Sequence, residues 1–81
     1  MDYEVVTVRD DSYPGCKRET VYVVIDNSGA YQRTLDFIRD KYLLNADEVT
    51  VFAYLPEEKE SIQNGSNGTY TVGKSEATNC N

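Results

Sequence analysis

Residues 3–9, YEVVTVR, alternate imperfectly between apolar and polar positions and are rich in Val and Thr, which predicts a strand. Residues 10–19, DDSYPGCKRE, carry charges around Pro14-Gly15 and read as a long turn. Residues 20–26, TVYVVID, form an unbroken β-branched and aromatic run, the pattern of a central strand covered on both faces. The period then changes. Tyr31, Leu35, Ile38 and Tyr42 fall at helical spacing in one stripe, widened by Thr34 and Phe37. Gln32, Arg33, Asp36, Arg39 and Asp40 take the other side, and Asn45 after Leu43-Leu44 is a stop signal. Residues 48–55, EVTVFAYL, alternate cleanly, with Val49, Val51, Ala53 and Leu55 on one face and Thr50, Phe52 and Tyr54 on the other. Pro56 ends that strand.

The pattern weakens after Pro56. Residues 57–63 are acidic and compatible with a short helical turn; NGSNG is a turn signal, and TYTV at 69–72 reads as a short edge strand. Residues 73–81 are small and polar and read as a flexible tail. The expected fold is therefore α+β, β-β-α-β(-β), one three- or four-stranded sheet packed on a single helix. Residues 1–72 are expected to make one small domain, with 73–81 as the flexible polar tail. The span between the second and third strands is long enough for a crossover helix, but their adjacency is left open.

At 81 residues the chain is near the size at which one core is only marginally sufficient. No apolar run approaches the ~18 residues of a membrane span. The opening MDYEVVTVRDD has acids where a secretory signal needs basic and then apolar residues, so a cytoplasmic location is expected. In that compartment Cys16 and Cys80, far apart and in no C-x-x-C pair, are expected to be free thiols, with a bridge between them as the alternative. Asn64-Gly65-Ser66 and Asn67-Gly68-Thr69 are then turn residues rather than glycan acceptors. The net charge of −6 opposes direct binding to nucleic acid and to anionic membranes. It suits a soluble protein, or a protein partner with a basic surface.

The junction VVIDNSGA, residues 23–30, is the most chemically suggestive stretch. It resembles the first strand and metal-ion loop of von Willebrand factor A domains, whose pattern is Asp-x-Ser-x-Ser. Asp26 and Ser28 match, but Ala30 stands at the second Ser position, and that fold needs more than twice this length. A Mg²⁺ site wants several oxygens in near-octahedral order, and the loop offers too few. One Gly with no nearby Lys is a poor phosphate cradle, and Asp26 would repel the phosphate. The chain has no histidine, so Ser28 has no Ser-His pairing to activate it. The expectation is a cap: Asn27 or Ser28 accepts from the first helical N–H groups, Asp26 complements the helix dipole, and Gly29 permits the tight exit. No cofactor and no metal are expected.

Carboxylates cluster at Asp10-Asp11, Asp47-Glu48 and Glu57-Glu58-Glu60, each on a predicted loop or element end, where solvation is the ordinary state. One helix covers one sheet face. On the other, Tyr22 and Val24 are expected to join Phe52 and Tyr54. That face is then either covered by Ile62 and Tyr70 folding back, or open as an aromatic interaction patch. The function expected is a non-enzymatic protein-interaction module. Tyr22, Phe52 and Tyr54 would be the anchors, and Asp10, Asp11, Asp47, Glu48, Glu57 and Glu58 the acidic rim. A homodimer through the second sheet face is a related expectation. In size and charge the chain is similar to phage- or mobile-element-encoded inhibitors of host nucleic-acid enzymes. The alternatives are a small metal- or ligand-binding domain or enzyme using Asp26 and Ser28, and a structural subunit of a larger assembly.

Overall fold

A computed structural model describes residues 3–25, 31–60 and 73–80. The loop at 26–30, the expected strand at 69–72, both glycan-like triplets, Ile62 and Tyr70 lie outside the described residues. The elements are β1 (Tyr3–Asp10), β2 (Arg18–Ile25), α1 (Tyr31–Tyr42), β3 (Glu48–Tyr54), a single 3-10 turn (Pro56–Glu58) and β4 (Gly73–Thr78). Among the described residues they build the expected α+β fold, a four-stranded sheet in the order β1-β2-β3-β4 with the helix α1 packed on it. The outer pairs are antiparallel; β2 and β3 are parallel neighbours, joined through α1.

The two central strands are formed by the two strongest strand patterns. Val21, Val23 and Ile25 of β2 and Val49, Val51 and Ala53 of β3 face the helix, where Leu35 and Ile38 close the core. Tyr3, Val5, Tyr31, Tyr42, Leu43 and Ala46 pack around them. Each of the large aliphatic side chains in this layer contributes about 1.5–3 kcal/mol by leaving water. At the helix C-terminus the bonding shortens, with Leu44 N–H donating to Lys41 O (3.4 Å) and Asn45 N–H to Tyr42 O (3.1 Å). Arg39 and Lys41 in the last turn complement its dipole.

Between β1 and β2, Tyr13 and Cys16 exchange backbone hydrogen bonds of 3.0 and 2.9 Å. Pro14 and Gly15 sit between them, and Gly15 has φ 90°, the left-handed conformation that a type II turn requires at that position.

Two expectations are corrected at the C-terminal end. Residues 73–78, read from the sequence as part of a flexible tail, form β4 and pair along β3 from Ala53↔Gly73 to Glu48↔Thr78. The strand has almost no apolar pattern because its attachment to the helix is polar. Ser75, 5% exposed, donates to Asp36 Oδ1 at 2.6 Å and accepts from the Arg39 guanidinium at 3.1 Å. Gly73 allows close approach: a Cβ there would lie 2.5 Å from the Tyr31 ring. The second correction concerns the cysteines, which are not free thiols. Cys16 precedes β2 and Cys80 follows β4, and both positions fall at the same end of the sheet. Their Cα atoms are 5.7 Å apart, and the two form a disulfide across a sequence separation of 64. Among the described residues no helix is long and apolar enough to cross a membrane.

Candidate interaction surface

The sheet face opposite the helix has two halves with different chemistry. In the first, Tyr22, Val24 and Tyr54 form a second small core, with Val6 and Phe52 packed against it. The Tyr22 and Phe52 rings stack at 5.7 Å, and Tyr22 and Tyr54 meet at 6.2 Å. Tyr22 is 4% exposed and Tyr54 1%. Desolvation raises the Tyr22 phenol above its ordinary pKa, which keeps it neutral. The chain leaving β3 contributes to this covering: the 3-10 turn touches β2, and Lys59 Nζ reaches Glu4 on β1 at 2.6 Å. Tyr22 and Tyr54 are thus interior residues. They are placed on the expected face, but not open on it as anchors. Phe52 is half-buried at the boundary.

The second half is open. A shallow concavity of about 460 Å³ runs across all four strands there. Its floor is Thr20, Thr50 and Phe52, and its walls are Arg9, Asp11, Arg18, Lys74 and Glu76. The charges alternate in pairs. Arg9 Nε lies 2.9 Å from Asp11, Arg18 pairs with Glu48, and Lys74 stands 3.7 Å from Glu76. The Arg9 guanidinium also lies over the Tyr22 ring at 5.8 Å, linking the polar half to the aromatic one. Asp11 is held below the usual carboxylate range, first by the hydrogen bond that Thr20 donates at 2.6 Å and then by Arg9 and Arg18, against the cost of its partial burial. Exposed ion pairs of this kind stabilise the fold by only ~0–1 kcal/mol each. Their consequence is a surface that presents both signs at short range.

The expected acidic rim divides in two. Asp10 accepts from the backbone N–H of Ser12 at 2.9 Å, and hydrogen bonding from the Ser12 side chain and then from that backbone group lowers its pKa. Asp47 accepts from Lys17 N–H at 3.0 Å and fastens the β1–β2 turn to the start of β3. Asp11 and Glu48 are neutralised by arginines. These four gather at one end of the sheet among Arg9, Lys17 and Arg18, where they organise structure. Glu57 and Glu58 lie in the 3-10 turn, which follows the opposite end of β3. No ion pair joins them to any described residue.

Sequence reasoning missed Arg9, Arg18, Thr20, Thr50, Lys74 and Glu76. For Thr20 and Thr50 the signal was present, since both share strand parity with Tyr22 and Phe52. For Lys74 and Glu76 it was not, because β4 itself was unseen. Among the described residues no three cysteine, aspartate or glutamate side chains converge as metal ligands would; Asp26 and Ser28 lie outside them. Comparison with protein-family models, curated proteins and solved structures gave no match to this chain.

Proposed function

We propose that the protein is a non-enzymatic interaction module that binds a protein partner through the open half of the sheet face. The observation that carries this reading is the four-strand concavity, with half-buried Phe52 on its floor and charge pairs of both signs on its walls. An apolar anchor inside a polar rim is the usual anatomy of a protein-binding surface. The net charge of −6 favours a basic partner. Because the carboxylates near the concavity are largely neutralised in place, long-range attraction falls more to Glu57 and Glu58, and acts on association rate. Nucleic acid and membranes fit this charge balance poorly as direct ligands.

Inhibition of a nucleic-acid enzyme rests on size and charge alone. The Cys16–Cys80 bridge supports an oxidising compartment over the cytoplasm, and so lends no weight to a cytoplasmic target.

The test is retention of a partner from the native source on immobilised protein, in non-reducing buffer, by wild type and by Thr50→Arg. Thr50 lies on the floor of the concavity, so the larger side chain fills the open half without entering the helix-side core. A specific protein held by wild type and lost with Thr50→Arg is expected. Retention that ignores Thr50→Arg but needs a divalent metal and Asp26 would overturn the reading in favour of a metal-dependent site.

A further inference from the structure

We propose that the free edge of β1 pairs antiparallel with β1 of a second copy, in a register centred on the bulge at Val6–Thr7. This register sets Glu4 opposite Arg9 and Val5 opposite Val8, twice over. The interface lies on the sheet edge, away from the concavity floor of Thr20, Thr50 and Phe52, and shares only Arg9 with the concavity wall; Val8 and Glu4 lie outside that wall.

β1 is an edge strand in the order β1-β2-β3-β4, and its register on β2 shifts between Val5 and Thr7, leaving Val6 as the extra residue. Asp11 N–H donates to Arg18 O at 3.0 Å, in continuation of the pairing Asp10↔Glu19, Arg9↔Thr20, Val8↔Val21 and Thr7↔Tyr22. Hydrogen-bonded pairs alternate along an antiparallel ladder. Arg9 and Thr7 therefore turn their N–H and C=O groups towards β2, and Asp10 and Val8 turn theirs outward. On β2 the same alternation gives Tyr22 and Val24 to β1 and leaves Val23 and Ile25 directed to β3. Val5, opposite Val23, and Tyr3, opposite Ile25, are consequently outward as well. The free edge thus offers Tyr3, Val5, Val8 and Asp10. Among the described residues no hydrogen bond reaches these outward backbone groups, while the Glu4 side chain meets Lys59 and that of Arg9 meets Asp11.

The faces agree with this spacing. Val5 packs with the helix-side core, and Val8 stands opposite Val21 of that same core. Glu4, Thr7 and Arg9 oppose Val24, Tyr22 and Thr20 on the other face, where Val6 also packs. In a regular strand, two-fold pairing sets each residue opposite one of its own parity, so Glu4 could never meet Arg9. The extra residue removes that restriction. About a centre between Val6 and Thr7, Tyr3 meets Asp10, Glu4 meets Arg9, Val5 meets Val8 and Val6 meets Thr7, each pair on one face. The outward backbone groups fall into hydrogen-bonded pairs at Tyr3/Asp10 and Val5/Val8.

Side-chain chemistry selects a second copy as the occupant. Opposite charges and apolar pairs directly across an antiparallel ladder are the favourable combinations, and here one sequence supplies both halves. Val8 is 39% exposed in the isolated chain and would be covered. The other edge is unsuited: β4 is short and carries Lys74 and Glu76.

Sedimentation velocity over a range of protein concentrations in non-reducing buffer reads the result. Wild type is expected to move reversibly from monomer to dimer. Val8→Pro deletes an outward N–H that β2 does not use, and should weaken the dimer by ~10-fold or more. Glu4→Arg and Arg9→Glu should each weaken it alone, by setting like charges across the axis. Mixed in equal amounts, the two variants should recover association as a heterodimer, which identifies the register without relying on Val8→Pro. A wild type that stays monomeric throughout, or a dimer indifferent to all three substitutions, or a mixture that fails to recover association, would overturn the proposal.

Discussion

β2 and β4 are strands of one sheet held by different means. β2 has neighbours on both edges and core on both faces, and six of its residues, Thr20 to Ile25, are buried. Among the described residues β4 has one neighbour and one buried side chain, Ser75. Around that serine a polar network with Asp36 and Arg39 replaces apolar contact, Gly73 closes against Tyr31, and the Cys16–Cys80 bridge ties the end of the strand to the turn before β2. Burial makes β2 part of the cooperative core. Tethering keeps β4 in place where burial alone would be weak, and a tether can be cut without emptying the core.

Cutting the covalent tether should have the largest effect. The chain-entropy estimate for a bridge across a separation of 64 is about 4 kcal/mol. Cys16→Ser with Cys80→Ser should lower urea stability by up to that amount. In native-state hydrogen exchange, the amides of β4 should lose protection ahead of those of β2. Loss of protection at the same rate in both strands would show that β4 belongs to the core unit.

A cavity in the core comes next. Val23→Ala removes buried methyl groups between β2 and α1 and should cost about 2–3 kcal/mol. Here the exchange of β2, β3 and β4 should accelerate together, as the reverse of the first pattern.

The smallest effect belongs to the polar network. Ser75→Ala should cost about 0.5–1.5 kcal/mol and also change the response to acid. Hydrogen bonds from Ser75 and then Gln32 hold the Asp36 carboxyl below its ordinary pKa. A carboxylate depressed in the fold stabilises it above the unfolded-state pKa, and that contribution is lost as pH falls through the folded-state value. Stability measured at neutral pH and again below about pH 4 should therefore converge for wild type and Ser75→Ala. An equal gap at both pH values would remove Asp36 from the account of how β4 is held.

The contrast between these strands also sets what could be read from the residues in order. The run TVYVVID, the stripe Tyr31–Leu35–Ile38–Tyr42 and the alternation EVTVFAYL each carry their period within one element. Hydrophobic patterning alone therefore placed β2, α1 and β3, and it put Tyr22, Phe52 and Tyr54 on the face away from the helix. The same pattern carries no information on what lies above a face, so Tyr22 and Tyr54 were expected to be open anchors although the chain beyond β3 crosses towards Glu4. Glu57 and Glu58 make no ion pair among the described residues, whereas Asp10, Asp11, Asp47 and Glu48 are committed to Ser12, Arg9 and Thr20, Lys17 and Arg18.

By itself the sequence determined the fold class, the helix, both central strands and the acidic balance, because local period, propensity and net charge need no distant partner. Tertiary structure alone decided that β2 and β3 are parallel neighbours, that GKSEAT is a strand, and that Cys16 meets Cys80. It also gathered Arg9, Arg18, Thr50 and Lys74 around Phe52. Each of these depends on residues far apart in the chain being brought together by the closure of the sheet, and their stabilisation comes from hydrogen bonds, charge pairs and a covalent bridge. Such contacts leave no periodic trace in the order of the residues.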